Sequence, residues 1–375
     1  MTEIANYLKE HEKEILADII TFVDAESPSE DKELVDRCGN VLKDIFAERL
    51  GVVEPTIYPQ TNRGDHFSFT VGNGNKRILI AGHFDTVWDK GRLPRRIVDG
   101  KLYGPGVLDM KSGIIQSIWA LKALLHFKQL DDLQIKFLCT SDEEIGSQTS
   151  RPIIEEEAKN SDIVLVTEPP VAKTGALKTA RKGVGIYQIK VRGKSSHAGN
   201  HHSAGASAIH ELAHQIVKLE ELTNYDRGTT VNVGVINGGT RRNVVPEEAE
   251  ALIDFRVKTE EEADRIVAHL ESLTPELDGT TLEVEGELNR PPMERTSDIE
   301  ELFEKAEKAA EEIGFTITEA QVGGGSDGNF TASLGIPTLD GLGGVGEGPH
   351  AENEHIVIED LPMRSAMLAH LLLKL

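Results

Sequence analysis

Cysteine is nearly absent: Cys38 and Cys139 are the only two in 375 residues. That excludes a disulfide framework and suits a reducing compartment. No apolar run approaches the roughly 20 residues that a membrane-spanning helix needs. The opening "MTEIANYLKEHEKEIL" lacks both the apolar core and the small-residue cleavage site of a secretory signal, so a cytoplasmic protein is expected. Positive charge is scarce as well, with 40 Lys and Arg against 63 Asp and Glu and a formal net charge of −23. Such a surface disfavours nucleic acid and anionic membranes as partners. Carboxylates are also ligands for hard cations, so the acidic balance fits a metal protein as well as a plainly soluble one.

What is present is enough for more than one core, since 39% of the residues are hydrophobic and the length exceeds the usual single-core size. Ile4, Leu8, Ile15, Ile19 and Val23 recur at near-helical spacing until "SPS" at Ser27–Ser29 breaks the run. A second helix is expected from about Glu30 to a stop at Gly51. The period then changes. "RILIAGH" (Arg77–His83), "LQIKFLCTS" (Leu133–Ser141) and "DIVLVTE" (Asp162–Glu168) read as buried parallel strands. Helices are expected over Ser112–Phe127 and Ser150–Asn160, the latter with Ser150 as its cap. This alternation predicts a doubly wound α/β sheet.

From Gly183 the chain reads strand, helix, two strands, helix, strand, which is the ferredoxin-like βαββαβ unit. After "NRPPMER" it returns to helix, Gly-rich loop and a last helix. The expected organisation is a catalytic domain in two segments, 1–182 and 291–375, interrupted by a smaller domain over 183–290.

Each of the three buried runs ends in potential metal ligands: His83 and Asp85 in "GHFDT", Glu143 and Glu144 in "SDEE", and Glu168 in "TEP". Asp109 stands in the turn "GPGVLDMKSG" just before a helix. Ligand sites of open α/β sheets gather beyond the carboxyl ends of the strands, so these groups can meet although they are far apart in sequence. In a His-x-Asp pattern the imidazole can bind metal while the carboxylate two residues on fixes its tautomer; alone such a pattern is an ordinary strand end, but three strands ending in ligands point to a metal.

The elements HFD, GPGxxDxKSG, DEExGS, EP, SSHAG, NVVP, GGGSD and HxxNE stand in this order along nearly the whole chain. In that set and order the sequence resembles the dinuclear zinc peptidases and amidohydrolases that include glutamate carboxypeptidase, acetylornithine deacetylase, succinyl-diaminopimelate desuccinylase and aminoacylase. It looks nearest to the glutamate carboxypeptidases. The resemblance implies two zinc ions per subunit, with cobalt or manganese as substitutes. Asp109 would bridge them, His83 and Glu168 would complete one site, and Glu144 and His350 the other. Glu143 would be the general base, Asp85 the support of His83, and the peptide after Asp109 would be cis.

The same resemblance makes 183–290 a lid and dimerisation domain. His197 in "SSHAGN" would steady an oxyanion, and Arg256 and Asn243 would hold a substrate carboxylate, which a guanidinium fork matches bidentately. Gly324 and Ser326 in "GGGSDGNF" would approach the substrate. The implied activity is a zinc exopeptidase of carboxypeptidase type that cleaves an amide next to a free carboxylate and releases glutamate or a similar residue. An N-acyl amino acid amidohydrolase or a dipeptidase is the alternative, and small peptides or N-acyl amino acids are the substrates. A homodimer through the lid is expected.

Two motifs point elsewhere. "HELAH" (His210–His214) is a literal HExxH, the single-zinc protease motif. Its expected buried stripe is Ile209, Leu212, Ile216 and Leu219, which leaves both histidines on the polar flank. Val217 and Glu220 also occupy the places where a third ligand would follow. "GLGGVG" (Gly341–Gly346) matches a dinucleotide fingerprint in letters, but "EGPH" follows it where a helix is required.

Overall fold

The computed structural model describes residues 2–375. The chain divides into two compact units. One comprises the described chain up to Ala180, Arg295–Gln321 and Ser326–Leu375, and the other Arg181–Glu294 with Val322–Gly325.

The larger unit is built on a six-stranded sheet in the order Thr56–Tyr58, His66–Val71, Leu133–Thr140, Lys76–His83, Ile163–Val166, Thr338–Leu339. The first two pairings are antiparallel and the other three parallel. Alternate side chains serve different cores. Ile78, Ile80, Ile135, Phe137, Ile163 and Leu165 join the main cluster, while Leu79, Leu138, Val164 and Val166 pack with Ile154, Ala158 and Phe330. Burial of both faces is why these strands read as continuous apolar runs. The helix Ser112–His126 is apolar on nearly every side because the main core surrounds it.

Several boundaries differ from expectation for local reasons. The first helix is two, Glu3–Glu10 and Glu12–Asp24, parted at His11. The next begins at Lys32, where the Asp31 carboxylate accepts from the Leu34 N–H, and ends as expected at Gly51 with φ 70°. Ser150 precedes the helix Arg151–Lys159 but is itself helical in conformation, and its side chain makes no capping bond.

The smaller unit has four antiparallel strands in the order Thr230–Gly238, Glu248–Val257, Gly183–Arg192, Thr281–Arg290. The helices Ala208–Glu220 and Glu260–Glu271 share one core with that sheet, built around Ile189, Phe255, Leu212 and Ile266. This is the ferredoxin-like order: the two central strands of the βαββαβ unit, Thr230–Gly238 and Glu248–Val257, pair as a hairpin, and each helix-containing crossing skips one strand. The first helix, expected over Ser203–Leu222 from the sequence, starts at Ala208 because the Ser207 hydroxyl caps it. Its buried side runs through Ala208, Glu211, Leu212, Gln215 and Leu219, and Ile209, expected inside, is 45% exposed. Arg181 is buried, and its guanidinium donates to the carbonyls of Gly324 and Gly325 at 3.0 and 3.1 Å.

Candidate metal centre

The strand Lys76–His83 delivers His83 to the carboxyl edge of the larger sheet, where it is 1% exposed. Its Nε2 lies 3.2 Å from Asp109 Oδ1 and 3.4 Å from Glu168 Oε1. On the other side of Asp109, His350 Nε2 lies 3.4 Å from Asp109 Oδ2 and 3.0 Å from Glu144 Oε2. Asp109 thus stands between the two histidines, one carboxylate oxygen toward each. Ligand atoms of His83, Asp109 and Glu144 all fall within 4.8 Å of one another. The Asp109–Met110 peptide is cis, and His350 adopts φ 60°, a left-handed conformation that few non-glycine residues take.

Charge explains what this cluster requires. Burial pulls His83 toward neutrality, but its bonds to Asp109, Asp85 and Glu168 prevail and hold its pKa well above the ordinary value. The bonds from Asp109 and Glu144 raise His350 to about 11. Burial, with Asp109 close by, lifts Glu144 to about 8 despite the His350 contact. Carboxylates crowded in a half-buried pocket demand positive charge, and the raised pKa of both histidines expresses that demand. Divalent ions meet the same demand, and imidazole with carboxylate oxygen is a donor set that zinc and its neighbours accept. The residues present therefore fit a metal centre.

A second layer holds the ligands in place. Asp85 is wholly buried and touches three elements at once. Its Oδ1 lies 3.4 Å from His83 Nδ1 and accepts from the Glu143 N–H at 3.2 Å, while Oδ2 accepts from the Ser29 hydroxyl at 2.7 Å and the Glu144 N–H at 3.3 Å. His83 Nδ1 also meets the Asp85 main-chain carbonyl at 3.2 Å, so the residue that orients the imidazole fixes, through its carboxylate, the turn carrying Glu143 and Glu144. Asp142, first of the three consecutive acids, turns away and accepts from Thr149 N and Oγ1, both at 2.7 Å.

Glu354 was not foreseen as a functional residue. It is fully buried, and its carboxylate accepts from the Trp88 indole at 2.6 Å and from the N–H groups of Gly106, Leu108 and Asp109 at 3.2, 2.9 and 3.2 Å. Burial pushes its pKa up to about 7 against the pull of those donors. The backbone that presents Asp109 is thus folded around this side chain. The signal in the sequence was its place four residues after His350, but nothing there reveals that its partners are backbone groups. Ser29, read only as part of a helix-breaking "SPS", was missed in the same way.

The glycines of "GLGGVG" have a packing role. Gly343 donates its N–H to the Glu168 carbonyl at 2.8 Å, and a Cβ there would come within 2.3 Å of the Thr167 carbonyl oxygen. Bare backbone lets this loop lie against the end of the strand that carries Glu168.

In the smaller unit, the exposed His197 accepts the Gly199 and Asn200 N–H groups on Nδ1 at 3.1 and 3.0 Å, so the neutral ring carries its proton on Nε2. Arg256 is bound bidentately by its strand neighbour Asp254, with both contacts at 2.8 Å. Asn243 is exposed, and its carbonyl accepts from the Ala198 N–H at 3.0 Å. The Gly324 carbonyl takes the Arg181 bond described above. Ser326, in the larger unit, is buried, and its hydroxyl donates to Asp340 at 2.6 Å.

Residues 79–374 match the model of peptidase family M20/M25/M40. Carboxypeptidase G2 of Pseudomonas sp. strain RS-16 is 32% identical over 314 residues, covering 81% of this chain and 75% of the relative. Succinyl-diaminopimelate desuccinylase of Acinetobacter baumannii strain ACICU is also 32% identical, over 340 residues, covering 84% of this chain and 88% of the relative. Among solved structures, the aminopeptidase PepT of Bacillus cereus superposes with a TM-score of 0.79 at 26% identity, over 97% of this chain and 98% of that one. The match across most of the chain, with its ligand-bearing strand ends in place, settles the classification: the protein is a hydrolase belonging to peptidase family M20/M25/M40.

Proposed function

We propose that the protein is a dinuclear zinc exopeptidase of carboxypeptidase type, which hydrolyses an amide beside a free carboxylate and releases glutamate or a similar amino acid. The observation that carries the hydrolytic part is the position of Asp109 between His83 and His350, with Glu144 and Glu168 beside them. His83, Asp109 and Glu168 would hold one ion, and Asp109, Glu144 and His350 the other. Bound there, the metals would polarise the scissile carbonyl and lower the pKa of water. Glu143, adjacent in sequence to Glu144 and fixed through its N–H by Asp85, accepts the proton of the attacking water and passes it to the leaving nitrogen. His197 offers Nε2–H to the developing oxyanion.

Arg256 supplies the cation for the substrate carboxylate, which exchanges with Asp254. An N-acyl amino acid amidohydrolase is the second reading, favoured by an identity to the desuccinylase equal to that with the carboxypeptidase. Both substrate classes are small peptides or acyl amino acids bearing a carboxylate. The reading includes a cytoplasmic setting and a homodimer; among the described residues no helix is long and apolar enough to cross a membrane.

The test is a hydrolysis screen of the zinc-loaded enzyme on N-acyl-glutamates, N-acetylornithine and dipeptides, each as the free acid and as the C-terminal amide. The acid is expected to be cleaved faster by about ten- to a hundredfold, the worth of one charge-assisted contact, and Arg256→Ala should erase most of that gap. Equal rates on acid and amide would end the carboxypeptidase reading. A preference for acetylornithine over acylated glutamate would favour the deacylase.

A further inference from the structure

The HExxH motif of the smaller unit is left unused by the hydrolytic reading. As a single-zinc protease site it fails on geometry, because its Glu211 is fully buried and committed inward. That carboxylate accepts from Gln215 Nε2 at 2.6 Å, from the N–H groups of Glu276 and Leu277 at 2.9 and 2.7 Å, and from Thr280 Oγ1 at 3.2 Å. It has no reach toward a metal on the outer face, and so no general base stands beside the histidines.

The histidines themselves are a different matter. His210 and His214 lie one turn apart on the helix Ala208–Glu220, both exposed, with ring centroids 4.8 Å apart. Their Nε2 atoms are 3.2 Å from each other. Apart from that contact, neither ring has a hydrogen-bond or ion-pair partner among the described residues. Two nitrogens that each bind one tetrahedral ion at about 2.0 to 2.1 Å stand about 3.3 Å apart, so the pair already holds the bite of a chelate. A metal ion seated in that gap takes a lone pair from each Nε2 atom.

We infer that His210 and His214 form a second metal site, separate from the Asp109 centre, which chelates a borderline divalent transition ion of the zinc, copper(II) or nickel(II) class through both Nε2 atoms. Imidazole selects these ions over calcium and magnesium, which prefer oxygen. Water fills the remaining positions, since no third protein ligand of the His, Cys, Asp or Glu type completes a cluster there among the described residues. The site is therefore exchangeable. It supplies no catalytic group, and it does not depend on the hydrolytic reading.

The test uses the full chain with its Asp109 centre already filled, dialysed to equilibrium against zinc chloride and, separately, copper(II) chloride. Wild type is expected to take up one further equivalent. In His210→Ala and His214→Ala, which lose the chelate, half-saturation should move up by about tenfold or more. Both substitutions are at exposed positions, so circular dichroism and peptidase activity should be unchanged. The copper-loaded wild type should give an electron paramagnetic resonance spectrum with coupling to two imidazole nitrogens, reduced to one in either variant. Uptake that is the same in wild type and both variants, or a copper spectrum indifferent to the two substitutions, would overturn the inference.

Discussion

At the scale of single residues, what distinguishes the two neighbouring glutamates is what each is attached to. Glu144 is drawn into the ion-pair cluster through His350, while Glu143 shares its backbone anchor on Asp85. Glu143→Gln keeps the shape and that anchor but removes the proton acceptor. Metal content by elemental analysis should stay unchanged while turnover falls by about 10² to 10⁴-fold; undiminished activity would remove Glu143 from the mechanism. Glu354 calls for the opposite experiment. Glu354→Ala strips the acceptor from three backbone N–H groups around Asp109 and from the Trp88 indole. Outer-shell partners of this kind are worth about 10- to 100-fold in metal affinity. Competition with a chelator should show loosened metal in that variant, and wild-type retention would mean that the loop holds itself.

At the scale of elements, legibility followed periodicity. The buried strands and the central helix announced themselves because an environment that is apolar on both sides leaves a continuous apolar run. The His83, Glu144 and Glu168 positions were readable because strand ends are where an α/β sheet gathers its ligands, and Asp109 was singled out by its turn before a helix and by the family resemblance. What stayed hidden were contacts made across long sequence separations to backbone atoms, such as Ser29 on Asp85 and Glu354 on the Asp109 loop. Pattern reading also misplaced the face of the Ala208–Glu220 helix. It counted Ile209 as core by its letter, whereas the polar Glu211 and Gln215 are inside because each has partners there.

The smaller unit carries a pH-sensitive joint of the same kind. Glu262 is buried under Arg265, which binds it bidentately, and it also accepts from Arg227 and Thr229. The Arg265 bond leads in pulling its pKa down to about 2, against the effect of burial. A depressed carboxylate stabilises the fold above its unfolded pKa of about 4.5 and loses that contribution as pH falls toward about 2. Thermal melts should therefore show a loss of stability across that window which Glu262→Gln lacks, having lost the contribution already at neutral pH. Parallel pH profiles for the two proteins would show that the pair is energetically idle.

At the scale of the whole molecule, the strand Thr230–Gly238 ends its sheet; the Thr223 hydroxyl and the Glu220 carboxylate take up the edge backbone groups of Val231 and Val233, and the stretch beyond carries Val235 at 45% and Ile236 at 56% exposure. The helix Ala208–Glu220, which packs on the same sheet, exposes Ile209 at 45% and Val217 at 60%. An edge with apolar side chains is a template for pairing unless charge, proline or a bulge blunts it; Glu220 and the irregularity between Val233 and Val235 blunt the first half here, while the second half, through Val235 and Ile236, carries neither charge nor proline. A two-fold pairing of that edge with its copy would bury both, which is the homodimer proposed above. Charge opposes it, because each chain carries −23 and two such bodies repel. Association should accordingly tighten as salt rises from low to physiological strength, where screening is effective within about 8 Å, and apolar contact is left to decide. Sedimentation velocity is expected to find a dimer whose dissociation constant falls with added salt, and Ile236→Lys, which places a charge on the edge, should shift it to monomer while the monomer's melting temperature holds. A wild-type chain that sediments as a monomer at every salt and protein concentration would leave that edge strand without a partner of its own kind.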